Sequence, residues 1–331
     1  MRSHRRESSH CVAFSRLIQR RSNMRRLLIL PVLLASFCTV CAGAGDWCYN
    51  SQSSCDHPCN VPEKWAVSKA DCGGKSQSPV NIITRKVVRD ERLTPLEFKY
   101  YQHTFKISMT NTGHSVQIDI PIRSTISGGE LPQTYKAVQL HLHWGKDGRF
   151  GSEHTIDGEQ YPMELHIVHI KNQYADLKTA LRDPEGIAVL GFFYEESNSP
   201  NRMYDNIIEG VKSIAAKNVS FSLPSISLAQ LIPPEQKLTS YYRYEGSLTT
   251  PPCSEAVVWT VFKTPIPLSK DQIKAFSTVH FHDGKWMVNN FRPVQPLHGR
   301  LVYHSGGAAL LVSSALLAAA LTTALGLSQP N

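Results

Sequence analysis

Ala137-Val138-Gln139-Leu140-His141-Leu142-His143-Trp144 alternates between two kinds of side chain with a period of two. Gln139, His141 and His143 share one face, and Val138, Leu140, Leu142 and Trp144 share the other, the pattern of a strand with one apolar face. A second stretch repeats the device: Glu164, His166 and Val168 face one way, and Met163, Leu165 and Ile167 the other, through Ile170. Ile187 to Phe193 is almost continuously apolar, as for a strand buried on both faces, and Ala256 to Phe262 is a further strand. Helices are fewer. Asn201 to Ala216 places Met203, Ile207, Val211 and Ile214 on one face, and Ser269 to Phe276 opens with Ser269 and Gln272 in capping-box spacing. Strands dominate, so the expected class is mainly β (α+β) with short peripheral helices.

Two imidazoles two residues apart on a strand lie ~6–7 Å apart along one face, within reach of a common ion. His166 follows His143 by 23 residues, on the second apolar-backed strand. One such histidine alone reads better as a core residue. Three of them on the polar faces of apolar strands read as the metal ligands His141, His143 and His166. Gln139 and Glu164 each precede a ligand by two residues and are placed to accept its second ring N–H, as metal-bound histidines require. Three neutral ligands suit zinc used for hydration, because the ion keeps its full charge and a fourth-position water readily loses a proton. His280-Phe281-His282 has the same spacing, but Asp283-Gly284-Lys285 follows at once and signals a turn. It reads as a surface pair.

The formal charge of +8 is not spread over the chain. Residues 1–44 hold eight Arg against Glu7, a net +7, and the remainder has 27 basic against 26 acidic residues, a net +1. No basic face is left over, which excludes nucleic acid as a partner. Arg25-Arg26, the apolar run Leu27 to Val40 and the small-x-small Ala42-Gly43-Ala44 read as a signal peptide over 1–44. A start at Met24 gives a leader of ordinary length and makes residues 1–23 a dispensable extension. At the other end Ser305-Gly306-Gly307 precede an uncharged apolar run, Ala308 to Leu327. The charge-free Ser328-Gln329-Pro330-Asn331 favours a cleaved GPI signal over 306–331, with attachment at Ser305, above a spanning helix followed by basic residues. Residues 45–305 carry no repeat or low-complexity linker and read as one domain. Asn218-Val219-Ser220 is a glycosylation acceptor.

Gln139-Leu140-His141-Leu142-His143-Trp144-Gly145, Ser152-Glu153-His154-Thr155, Glu164-Leu165-His166 and Ser247-Leu248-Thr249-Thr250-Pro251-Pro252 together carry a family resemblance. So do Gln77-Ser78-Pro79-Val80-Asn81-Ile82 and Asn290-Phe291-Arg292-Pro293. The chain resembles the α-class carbonic anhydrases from about Trp47 to Tyr303, and its ends resemble the GPI-anchored isozyme IV and XV branch. The resemblance implies one domain around a large, mostly antiparallel twisted sheet with Zn2+ at the bottom of a cone. It implies reversible hydration of CO2 to bicarbonate at the outer face of the cell membrane, by attack of a zinc-bound hydroxide. Thr249 would accept the hydroxide's hydrogen and donate its own to Glu153, with Asn290 supporting the ligands. The CO2 pocket would be Val168, Val189, Val257, Leu248, Trp259 and Thr250. Bicarbonate transporters are partners by resemblance only.

Proton export sets the speed of such an enzyme. Release from a group of pKa ~7 straight to water caps turnover near ~10^3 per second, against the figure of ~10^6 known for carbonic anhydrase. A histidine near pKa ~6.5 is suited to carry the proton, and by resemblance His114 is that shuttle. Tyr49 and Asn111 match positions that order its water chain; Thr112 and Gln117 stand where the family commonly has Asn.

Cys48, Cys55, Cys59, Cys72 and Cys253 remain after the leader, an odd number in an oxidising compartment, so at least one is free or paired outside the chain. The resemblance to the isozyme IV branch implies the pair Cys72–Cys253, and Cys48–Cys59 is expected as a second, with Cys55 left over. Cys55 is an alternative partner for Cys48, both loops being short. Two other functions compete: an acatalytic ectodomain that binds a protein partner, and an esterase. Such acatalytic domains typically lose a zinc histidine, and no larger acyl pocket is evident.

Overall fold

The computed structural model describes residues 47–54, 59–121 and 123–306. The leader, Cys55 and the apolar C-terminal run lie outside these residues. The first seven strands are β1 (Asn81–Ile82), β2 (Val88–Asp90), β3 (Leu96–Lys99), β4 (Phe105–Asn111), β5 (Val116–Asp119), β6 (Thr125–Gly128) and β7 (Tyr135–Trp144). Then come β8 (Thr155–Ile156), β9 (Met163–Lys171), β10 (Ile187–Ser197), β11 (Ser220–Ile226), β12 (Tyr241–Gly246), β13 (Val257–Ser269) and β14 (Tyr303–Ser305). One sheet runs β11-β4-β5-β7-β9-β10-β13-β12-β14-β2, with β6 also on β7 and β3 on β6. Its ladders are antiparallel except β10–β13 and β14–β2. β1 and β8 form a separate parallel pair.

The central strands feed an apolar cluster on each face. Leu140, Leu142, Leu165, Ile167, Leu190 and Phe192 join the larger one, and Val168, Val189, Val257, Trp259 and Val261 join the second. β9 is buried at all of its positions, which its Leu, Ile and Val content permits. The β7–β9 register slips between Ala137 and Gln139. Val138, expected beside Leu140, therefore packs against the second cluster, because one extra residue in a strand reverses the facing of everything before it.

The helix expected over 201–216 is shorter: a 3-10 turn at Arg202–Tyr204 leads into a helix at Asp205–Ser213. Ile207, Val211 and Ile214 are buried as expected, but Met203 is 56% exposed. The tighter turn shifts the phase and brings Tyr204 inward instead. Ser269 and Gln272 do form a capping box, on the helix Lys270–Ala275.

Cys72–Cys253, the pair the resemblance implied, is a disulfide, and Cys48 pairs with Cys59, the first of the two partners that the sequence left open. Asn218 is exposed in a left-handed turn, φ 65°, which Asn tolerates better than most residues. Ser305 is buried at the end of β14, its Oγ donating to Thr239 O at 2.9 Å. No helix among the described residues is long and apolar enough to cross a membrane.

Candidate active site

The β7–β9 register sets His141 opposite His166 and His143 opposite Glu164. Three rings from two adjacent strands thereby converge. His141 Nδ1 bonds Gln139 Oε1 at 2.8 Å, His143 Nδ1 bonds Asn290 O at 2.7 Å, and His166 Nε2 bonds Glu164 Oε1 at 2.8 Å. Each far nitrogen is thus engaged, and the near ones, His141 Nε2, His143 Nε2 and His166 Nδ1, are left to face a common point. His141 Nε2 and His166 Nδ1 are 3.3 Å apart, the spacing of two nitrogens each ~2.0–2.1 Å from a tetrahedral ion. His143 Nε2 is buried with no hydrogen-bond partner among the described residues. Burial pushes the His141 imidazole well below its ordinary range, helped by the charges of His143 and His166; burial also lowers His143, against the pull of Glu153. Both rings are therefore held neutral, the form that can ligate a metal. The three histidines fit zinc.

A second cluster, His154, Glu164 and His166, lies alongside, but it is a closed hydrogen-bond network. His154 Nδ1 bonds Glu164 Oε1 at 2.7 Å and His154 Nε2 bonds the Tyr244 hydroxyl at 2.6 Å. Glu164 Oε2 accepts the backbone N–H of Glu153 and of His154, each at 2.8 Å. Burial alone would raise the Glu164 carboxyl, yet His154 and His166 together hold it well below the usual carboxylate range. This network orients His166. His154 and Tyr244 had no role in the sequence reading, although His154 lies within a quoted motif.

Glu153 Oε1 accepts from Arg292 N at 2.8 Å, and Oε2 points at the triad, 3.4 Å from His143 Nε2 and 3.9 Å from His166 Nδ1. Oε2 is buried without a hydrogen-bond partner among the described residues, so the bond expected from Thr249 is not formed there. Thr249 does line the same cavity as His141 and His166. Its loop is fixed by Leu248 N to Ser254 O at 3.1 Å and Trp259 Nε1 to Ser247 O at 3.0 Å. The cavity measures about 240 Å³ and is walled by Val168, Val189, Leu248, Thr250 and Trp259. Val257 is buried in the cluster behind it, not in the wall. Leu177 and Leu181 also line it; their spacing after an Asp176 cap was the missed signal.

The expected proton path divides. His114 stacks on Trp47, ring centres 4.0 Å apart, and its carbonyl accepts Asn290 Nδ2 at 3.2 Å. Asn290 therefore braces both His143 and the His114 turn. Burial raises the Tyr49 hydroxyl well above the usual range, and the charge of Glu153 adds to this. Asn111 is corrected: its Nδ2 donates to the carbonyls of Ile214, Ala215 and His280, and its Oδ1 accepts Gly113 N. It holds the turn and has no donor left for water. Thr112 Oγ1 likewise bonds within the turn, to Ser115 O at 3.0 Å. Gln117 pairs with His141 across the sheet and donates to Asp119 Oδ1 at 2.7 Å.

A family model described as eukaryotic-type carbonic anhydrase matches residues 60–306. Carbonic anhydrase 4 of Rattus norvegicus is 37% identical over 290 residues, covering 86% of this chain and 93% of its own. Carbonic anhydrase 4 of Oryctolagus cuniculus is 40% identical over 269 residues, covering 80% and 86%. Carbonic anhydrase 15 of Mus musculus is 36% identical over 303 residues, covering 87% and 92%.

Proposed function

Because the chain belongs to the eukaryotic-type carbonic anhydrases, whose reaction is the hydration of CO2 to bicarbonate and a proton, we propose that it works with zinc at the outer cell surface. The observation that carries the zinc reading is the convergence of three histidine nitrogens whose opposite nitrogens are all engaged. When bound, zinc supplies the acidity that makes a water nucleophilic near neutral pH, as is established for carbonic anhydrases at large. Gln139, Asn290 and Glu164 lock the three rings and fix which nitrogen faces the metal. Glu153 Oε2 is a buried acceptor aimed at the triad, and Thr249, on the cavity wall, supplies the hydroxyl that this reading pairs with it. The apolar wall of Val168, Val189, Leu248 and Trp259 suits a small neutral molecule such as CO2. One zinc per chain is the expected stoichiometry by elemental analysis. Full hydration activity after exhaustive chelation would sink the reading.

His114 is the group that carries the proton out. His114→Ala should slow hydration ~10-fold or more in weak buffer and recover in concentrated imidazole. A loss of equal size in both buffers removes His114 from the proton path.

Residues 1–44 direct the chain to the secretory pathway, where the two disulfides form and exposed Asn218 is glycosylated. The lipid is attached through the main-chain carboxyl of Ser305, which leaves its buried hydroxyl in place. Phosphatidylinositol-specific phospholipase C should release the enzyme from intact cells. Recovery of the peptide through Asn331 from the mature protein would instead mean a retained C-terminal segment.

A further inference from the structure

The hairpin carrying His280 and His282 is joined to the turn that carries His114. His282 N donates to Gly113 O at 3.0 Å, and Asn111 Nδ2 donates to His280 O at 3.0 Å. The approach depends on glycine: Gly113 has φ +88°, and a Cβ there would fall 3.0 Å from His282 Cβ and 2.9 Å from Lys217 Cδ. The rings of His114 and His282 are consequently 4.9 Å apart, centre to centre. His282 Nδ1 is buried and has no hydrogen-bond partner among the described residues. His282 sits half-buried in the turn, so the surface reading of this pair holds for it only in part. Lys217 lies beside Gly113, and Asp283 and Lys285 follow His282 on its hairpin. Lys285 is turned away to Gln52 O and Ser54 Oγ, with Asp283 at 3.9 Å.

We infer that His282 is the outer member of a two-imidazole proton relay whose inner member is His114. The inference rests on the shuttle role proposed above for His114. The His114 imidazolium gives one proton to neutral His282, directly or across one water. The His282 imidazolium then gives it to a buffer base. Both rings end neutral, and nothing but the proton moves. Two imidazolium charges ~5 Å apart repel each other even in water-like surroundings. A proton arriving on one ring therefore weakens the hold of the other. The backbone N–H of His282, not its ring, pins Gly113, so a side-chain change can test the relay without loosening the turn.

The experiment uses the zinc-loaded enzyme with 13C-labelled histidine, as wild type, His282→Gln, His114→Ala and the double variant. NMR follows the pH titration of each ring, and stopped flow follows CO2 hydration in weak buffer and in concentrated imidazole. The relay predicts that His282→Gln raises the apparent pKa of His114. It also predicts a loss of ~3-fold or more in weak buffer only, and no added loss when His114 is already Ala. An unchanged His114 titration, a loss that persists in imidazole, or additive losses in the double variant would each overturn it. If His114→Ala slows the weak-buffer reaction and His282→Gln does not, the relay falls while the shuttle stands. If His114→Ala has no buffer-dependent effect, the shuttle falls and takes the relay with it. Should His282→Gln lower the melting temperature, His282→Asn gives the same readings.

Discussion

His143→Ala is expected to empty the metal site and to cut CO2 hydration by ~10^3-fold or more, because the nucleophile is no longer available at neutral pH. His143 is the sharpest of the three ligands to remove. Its ring is 1% exposed, is anchored to Asn290 O at 2.7 Å, and presents a buried Nε2 that has no hydrogen-bond partner among the described residues. A core histidine retained for packing would not be built this way. His169, on the same strand as His166, shows that alternative: its Nε2 meets the Tyr101 hydroxyl at 2.6 Å and its Nδ1 bonds Ile167 O at 3.0 Å. Burial holds its imidazole down at about 4. Both its nitrogens are satisfied, and it reads as structure. Gln139→Ala gives the graded control, since losing a partner to a ligand's second nitrogen costs ~10–100-fold in metal affinity rather than the site itself. The measurements are zinc per chain, CO2 hydration by stopped flow and a thermal melt to show that the variant is folded. Near-normal turnover from a folded His143→Ala protein without zinc would end the metal reading.

What was legible in the sequence follows how local the cause was. The alternation in β7 and β9 located the ligand strands because side-chain facing in a strand depends on parity alone. Where parity was interrupted, the reading failed. The bulge beyond Ala137 sent Val138 to the opposite cluster, and no residue type in that stretch announces it. Met203 was misplaced for a related reason, since a 3-10 turn changes the period from which facing is counted. Features set by distant chain were invisible to spacing. Arg292 is 1% exposed, yet it reaches Gln77, Ser78 and Cys72 and donates its backbone N–H to Glu153. His282 lies 168 positions from its neighbour His114 in the chain and still meets it. The resemblance supplied Glu153 and Thr249, which spacing could not. It also lent Asn111 a role in water ordering, whereas its amide donates to three backbone carbonyls.

Replacing both Cys72 and Cys253 with Ser should destabilise the enzyme and loosen the Thr249 loop. The bridge joins residues 181 positions apart, and on the chain-entropy model a loop of that length restricts the unfolded state by about 5 kcal/mol, an upper figure. For a domain of this size that corresponds to a fall in Tm of about 10–20 °C. The local geometry explains why activity should fall too. Cys253 has φ 59°, an uncommon conformation for a residue with a side chain, and its N–H closes a turn on Thr250 O at 2.8 Å. Around the bridge, Gln77 Nε2 bonds Cys253 O at 3.2 Å and Arg292 Nη2 bonds Cys72 O at 3.0 Å. The same Arg292 donates its backbone N–H to Glu153 Oε1. The disulfide therefore ties the segment after Thr249 to the residue that holds the Glu153 carboxylate, the two groups that must keep a fixed relation in the active site. Without it that relation is maintained only by hydrogen bonds, and a displacement of a fraction of an ångström at Thr249 is enough to cost ~10-fold in turnover. Cys48 and Cys59 supply the comparison, since their bridge spans only 11 positions. Their removal should lower Tm by less. The check is calorimetry with CO2 hydration on both double variants at a temperature where each is folded. Unchanged turnover after loss of the Cys72–Cys253 bridge would show that the Thr249 loop is held without it.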